Sequence, residues 1–259
     1  MELAYKGTQI FYTDEGKGTA VILLHGFLEN SSIWEGLKSH LVERNRVVCI
    51  DLLGHGATGC LGYMHTMTMM AEAVKAVLDH LRLRKVVLAG HSMGGYVALA
   101  FAEMYADHVK GLALVNSTPL PDSDEKKRNR DRAIAAVKQN HKSFIRVAVA
   151  NLFRPKNRKI FAREIGVLKK EALKTPLQGI VAALEGMKIR PDREVLMHFT
   201  PYPKMVVLGK KDPVMDVELL RNRLKYTDVE VVVYPDGHMS YLENSAVLQQ
   251  DLGIWLKKI

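Results

Sequence analysis

One six-residue stretch, Gly90-His91-Ser92-Met93-Gly94-Gly95, limits the folds open to this chain more than any other part of it. Before it stands Val86-Val87-Leu88-Ala89, an apolar β-branched run of the kind that forms a buried strand. After it stands Tyr96-Val97-Ala98-Leu99-Ala100, which reads as a helix. A strand that becomes a helix over so few residues needs a sharp corner, and glycines on both sides remove Cβ atoms that would clash there. The corner leaves Ser92 exposed at a helix N-terminus, where free N–H groups and the dipole favour developing negative charge. The pattern is the G-x-S-x-G of a nucleophile elbow in its required strand–turn–helix context. A generic tight turn containing a serine is the competing reading, and the flanking elements weigh against it.

The rest of the chain supplies a setting for that corner. Short strands are expected at Leu3–Tyr5 and Ile10–Thr13, then buried strands at Ala20–Leu24, Arg46–Ile50, Lys85–Ala89 and Leu112–Asn116. Between them, helices are expected from a Ser32–Glu35 capping box to about Glu43, over Thr66–Leu81 and over Met93–Tyr105. Pro119-Leu120-Pro121 then breaks the pattern, and Asp122 to about Met187 is charged and helical without a strand. Alternation resumes with a strand at Lys204–Leu208, a helix at Val214–Lys225, a strand at Val229–Tyr234 and a helix at Ser240–Lys257. This order predicts an α/β fold with a mainly parallel sheet. Residues 1–118 and 203–259 form its core, and 119–202 form a helical insertion at the C-terminal edge of the sheet, where such sheets bind ligands.

Charge falls unevenly on this plan. The chain holds 37 Lys plus Arg and 28 Asp plus Glu, a formal +9. Residues 122–174 carry 16 basic and 6 acidic side chains, a net +10, so the remainder is −1. A charge confined to one segment speaks for the solvated face of an insertion rather than for a nucleic-acid surface. A sharper reading gives Arg146 or Arg154, which have apolar neighbours, the task of steering an anionic acyl substrate. Two cysteines, Cys49 and Cys60, make no disulfide framework, and Cys49 reads as a small buried hydrophobe. No signal peptide and no membrane-length apolar run is seen, so a cytoplasmic protein without membrane contact is expected, as monomer or homodimer. Histidines and cysteines lack metal-ligand spacing, and neither metal nor cofactor is expected.

A serine needs a base to become a nucleophile. Among 10 histidines, His238 is singled out because Pro235-Asp236-Gly237 would lift it onto the C-terminal edge of the sheet after a strand. Asp212, in Gly209-Lys210-Lys211-Asp212-Pro213, follows the preceding strand and is the candidate to orient it. Asp216 reads as a helix cap and Asp236 as a turn residue. Oxyanion donors are expected from the N–H of Met93, after the nucleophile, and of Phe27, in the His25-Gly26-Phe27-Leu28 loop. His25 is taken as a hydrogen-bonding residue that shapes this loop. Leu28, Trp34, Phe144, Phe153 and Met187 are candidate substrate contacts, with Phe27 and Tyr96 as further apolar neighbours. Met64, Met67, Met69 and Met70 are read as packing at a helix start rather than as a pocket.

Together the His25-Gly26 loop, Asp51 with Gly54-His55-Gly56, the Gly90–Gly95 elbow, Gly209–Pro213 and Gly237-His238 resemble the α/β-hydrolase fold superfamily over nearly the whole chain. The resemblance implies an eight-stranded, mostly parallel sheet with helices on both faces and a helical cap after the sixth strand. It also implies a Ser–His–Asp triad of Ser92, His238 and Asp212 acting on a small acyl substrate and water, with no cofactor. Thr58 stands where relatives often carry serine. The expected activity is that of a serine esterase, cleaving a carboxylic ester or thioester. Carbon–carbon bond hydrolysis, elimination, perhydrolysis and a hydrolase-like small-molecule receptor remain as alternatives, because the fold alone does not choose the reaction.

Overall fold

In a computed structural model describing Met1 to Ile259, eight strands form one sheet. They are β1 (Glu2–Tyr5), β2 (Thr8–Glu15), β3 (Thr19–Leu24), β4 (Asn45–Ile50), β5 (Val86–His91), β6 (Val109–Val115), β7 (Lys204–Gly209) and β8 (Glu230–Tyr234). Their order across the sheet is β1-β2-β4-β3-β5-β6-β7-β8. β1 pairs antiparallel with β2, and β2 with β4; every other neighbouring pair is parallel.

The continuous apolar runs are explained by burial on both faces. Along β3, Ile22 and Leu24 enter one core cluster while Val21 and Leu23 enter the other. The first face is covered by α2 (Met67–His80) and α3 (Met93–Met104), through residues such as Met70, Val74, Val77 and Phe101. The second is covered by α1 (Glu35–Leu41) and, late in the chain, by the helix that carries Leu248, Leu252 and Trp255. Met67 and Met70 are core residues and Met64 is exposed, so the methionine group packs a helix start. Cys49 is buried as well, and burial pushes its thiol up to about 12.

Five helices lie between β6 and β7: α4 (Asp124–Asn151), α5 (Asn157–Ile160), α6 (Ala162–Ala172), α7 (Leu177–Lys188) and α8 (Val195–Phe199). Ser123 caps α4 by accepting from the N–H of Lys126. At Asn140 the backbone leaves helical geometry (φ −156°, ψ 88°), and its side-chain oxygen accepts from Ser143 N at 3.0 Å. α4 is therefore two helices, the second capped by Asn140. The charge of this segment points mostly outward: Lys127, Arg128, Arg132, Lys138, Lys142 and Arg146 are all exposed. No helix is long and apolar enough to cross a membrane.

After β7 come α9 (Val217–Leu224), then β8, α10 (Ser240–Glu243) and α11 (Ser245–Leu256). Three boundaries differ from expectation. Asn30, not Ser32, caps the first helical turn, accepting from Ser32 N at 3.0 Å; Glu35 pairs with Lys38 at 3.0 Å instead of closing a capping box. α9 starts at Val217 because Asp216 caps it, accepting from Leu219 N at 2.9 Å. The last helix is split at Asn244, whose side chain donates to Asp236 at 3.0 Å from a non-helical backbone.

Candidate active site

β5 ends at His91 and α3 begins at Met93, so Ser92 carries the whole corner. Its backbone lies in the left-handed half of conformational space (φ 49°, ψ −114°), a cost that persists only where the surroundings impose it. The surroundings here are tight. A Cβ on Gly90 would strike the backbone of Gly94, and one on Gly94 would strike the carbonyl of Leu24 in β3. Ser92 N donates to Val115 O at 3.0 Å, and Ser117 Oγ donates to Ser92 O at 2.7 Å, tying the corner to β6.

Two loops at the same sheet edge deliver the partners. His238, after β8, places Nε2 2.9 Å from Ser92 Oγ and Nδ1 2.7 Å from Asp212 Oδ2. Asp212, after β7, is held through its other oxygen by Val214 N at 2.8 Å and Met215 N at 3.2 Å, while Asn116 Nδ2 donates to Oδ2 at 3.2 Å. Burial opposes ionisation of Asp212. The charge and hydrogen bond of His238, with donors from Val214 and Asn116, outweigh it and hold the carboxyl below its usual range. An ionised carboxylate only accepts, so Nδ1 of His238 carries its proton toward Asp212 and Nε2 is free to accept from Ser92. Phe27 N and Met93 N, by contrast, donate to no group of the chain.

A buried ion pair lies directly behind this line. His91 Nδ1 is 2.9 Å from Glu29 Oε2, and its Nε2 donates to the backbone oxygen of His238 at 3.0 Å. Glu29 also accepts from Gly26 N at 2.6 Å and from Tyr241 Oη at 2.9 Å. Burial disfavours both charges, yet each is sustained by the other: the His91 imidazole is raised above 6.5 and the Glu29 carboxyl lowered below 4.5. One network thus joins the loop bearing Phe27, the residue before Ser92 and the backbone of His238.

His25 shapes its loop from within. Its Nδ1 donates to Gly26 O at 2.7 Å and its Nε2 accepts from Leu52 N at 2.9 Å. Thr58 is accommodated without loss, since its hydroxyl donates to Asp51 O at 2.7 Å and accepts from Phe11 N at 2.9 Å. Burial lowers the imidazoles of His25, His55 and His65, that of His55 to about 3. Unfolded, these groups take up protons near 6.5, so the stability they supply is complete above that pH and is lost as pH falls through the folded values. Thermal unfolding of wild type should therefore worsen between about pH 6.5 and 4, and His55→Leu should flatten that slope. An unchanged slope would mean His55 is not buried neutral.

A cavity of about 110 Å³ opens on Ser92 and His238. Phe27, Leu28, Tyr96 and Met187 line it, as do Arg130, Ala148, Leu152 and Val214, which sequence reasoning did not select. Three expected contacts lie elsewhere. Trp34 is fully buried on the second face of the sheet, packed edge-on against His91 and beside Tyr241. Phe153 is buried in that same cluster and packs on Phe161. Phe144 packs from α4 against the first cluster and is absent from the cavity wall. Arg154 is tied to Asp236 at 3.0 Å and Arg146 is exposed, so neither lines the cavity.

The alpha/beta hydrolase fold family matches residues 19–245. The chain belongs to that family. A thermophilic esterase from Thermogutta terrifontis, solved with malate bound, is 31% identical over 99% of this α/β hydrolase and 96% of its own chain, with a TM-score of 0.92. The enol-lactonase from Burkholderia xenovorans LB400 shares the fold at 19% identity and a TM-score of 0.91, over 99% of this chain and 100% of that one. In sequence, the dihydrolipoyllysine-residue acetyltransferase component of the acetoin cleaving system of Pseudomonas putida is 29% identical over 252 residues, 93% of this chain. This α/β hydrolase spans 64% of that relative's length.

Proposed function

We propose that this α/β hydrolase is a serine esterase, cleaving a carboxylic ester or thioester through an acyl-enzyme. The observation that carries the reading is the unbroken line from Asp212 through His238 to Ser92, at 2.7 and 2.9 Å. Ser92 attacks the carbonyl carbon while His238 Nε2 accepts its proton. The oxyanion forms against the N–H groups of Phe27 and Met93, two backbone donors that nothing in the chain occupies. His238 returns the proton to the leaving alcohol or thiol. Water, deprotonated by His238, then attacks the acyl carbon, and the proton passes back to Ser92 as the acid leaves. The helices between β6 and β7 act as a cap, since Arg130, Ala148, Leu152 and Met187 supply one side of the cavity. The small cavity favours short acyl groups.

A fluorophosphonate probe should label wild type at Ser92, as read by peptide mass spectrometry. p-Nitrophenyl esters should be hydrolysed fastest at short acyl length. Labelling elsewhere, with Ser92 untouched, would sink the assignment.

A further inference from the structure

We infer that the substrate carries a carboxylate, and that Arg130 is the residue that receives it; the inference rests on the esterase reading and names the substrate class of that site. Of the 16 basic residues between Asp122 and Lys174, Arg130 alone lines the cavity with Ser92. The other charged groups in the wall, Glu29 and His91, neutralise each other at 2.9 Å. Arg130 is not neutralised in this way. It shares one carboxylate, Asp122, with a second guanidinium: Arg130 Nε donates to Asp122 Oδ2, and Arg190 Nη1 donates to Asp122 Oδ1 at 2.7 Å. Neither arginine has another acidic partner, so two positive charges face one negative charge.

The two arginines have different parts in this arrangement. Arg190 is spent on structure. Its guanidinium lies 3.9 Å over the ring of Tyr96 and donates to the carbonyls of Met187 and Leu120, and only 3% of its side chain is exposed. Arg130 keeps 19% of its side chain exposed. Its Nε edge is held by Asp122, its Nη2 reaches that carboxylate only at 3.4 Å, and its Nη1 has no partner in the chain. One edge of the fork is thus anchored and the other left open, the geometry that accepts a carboxylate bidentately. The Tyr96 hydroxyl, also without a partner, can supply a further donor from the same wall. Around these groups stand Phe27, Leu28, Leu152, Met187 and Val214, whose apolar surface lowers the local dielectric and strengthens any charge pairing.

The carboxylate can sit on the acyl side or on the leaving group, and the test separates the two. Mono-p-nitrophenyl glutarate is compared with p-nitrophenyl butyrate, and 3-acetoxybenzoate with phenyl acetate. Arg130→Gln should raise KM for the anionic member of the correct pair about 10- to 100-fold more than for its neutral partner, on the scale of one charge-assisted hydrogen bond. Arg130→Lys, which keeps the charge but not the fork, should recover part of the difference and guards against a folding defect in the Gln variant. Binding is read without turnover in Ser92→Ala by calorimetry. Monomethyl glutarate or 3-acetoxybenzoate should bind at least about tenfold tighter than its uncharged counterpart, and Arg130→Gln should erase the margin. Equal effects of Arg130→Gln on charged and neutral members in both pairs, together with no anionic preference in calorimetry, would overturn the inference while leaving esterase activity intact. Failure of every ester, with anionic binding preserved, would instead remove the esterase reading and keep the site.

Discussion

Ser92→Ala and His238→Ala should each lower kcat for a p-nitrophenyl ester by about 10⁶-fold, and the double variant should be little slower than either. Non-additivity is the expected sign of groups that act as one unit. Without the hydroxyl, His238 has no proton to take; without the imidazole, the hydroxyl stays a poor nucleophile. Asp212→Asn should cost about 10⁴-fold in kcat with little change in fold. An amide in place of the carboxylate can donate to Nδ1, which favours the tautomer whose Nε2 cannot accept from Ser92. The two backbone bonds from Val214 and Met215 run to the carboxylate's other oxygen, and an amide oxygen can keep them. Stopped assays with wild type and the four variants, each checked by thermal unfolding, decide the matter. Losses of only tenfold, or losses that multiply in the double variant, would mean that these residues do not form a catalytic unit.

The sequence made the corner legible because its cause is local. Glycines, a buried run and a helix lie within a dozen residues of Ser92, and the loops that bring Asp212 and His238 follow strands whose apolar runs are plain. The network behind them was not legible in that way. Glu29 meets His91 across 62 positions and Tyr241 across 212, and no spacing rule links them. Trp34 illustrates a related limit: an aromatic side chain near a functional loop belongs to a pocket or to the core according to which face of the sheet its short helical turn covers, and only packing decides. Arg130 shows a third. Sixteen basic side chains crowd residues 122–174, and apolar neighbours in sequence single out Arg146 and Arg154 among them. Apolar neighbours along the chain do not tell which way a side chain faces: Arg146 is exposed and Arg154 is tied to Asp236, whereas the cavity wall takes Arg130 and Ala148, from either side of the break at Asn140. Asn116 was hidden for a simpler reason. It reads as the end of a strand, yet its backbone has positive φ and its amide bridges Asp212 and the carbonyl of Gly237, each at 3.2 Å.

Glu29→Gln should destabilise the fold by about 3–5 kcal/mol, the usual cost of removing one partner from a buried ion pair. In a chain of this size that corresponds to a fall in Tm of roughly 6–20 °C. The cost arises because Gln cannot balance the charge that His91 carries between Glu29 and the carbonyl of His238. The pH dependence distinguishes this cause from simple loss of packing. His91 has a raised folded pKa, so its contribution is complete below about 6.5 and is lost as pH rises through the folded value. Glu29 has a lowered folded pKa, so its contribution is complete above about 4.5 and is lost as pH falls through the folded value. The gap between wild type and Glu29→Gln should therefore be widest between about pH 4.5 and 6.5 and should narrow on the alkaline side as His91 gives up its proton. Activity should fall as well, since Glu29 fixes Gly26 N, one residue from the Phe27 donor. That loss should appear in kcat more than in KM, because the oxyanion exists only after attack. A gap that stays constant across this range would assign Glu29 a packing role alone. A loss confined to KM would detach it from the oxyanion loop.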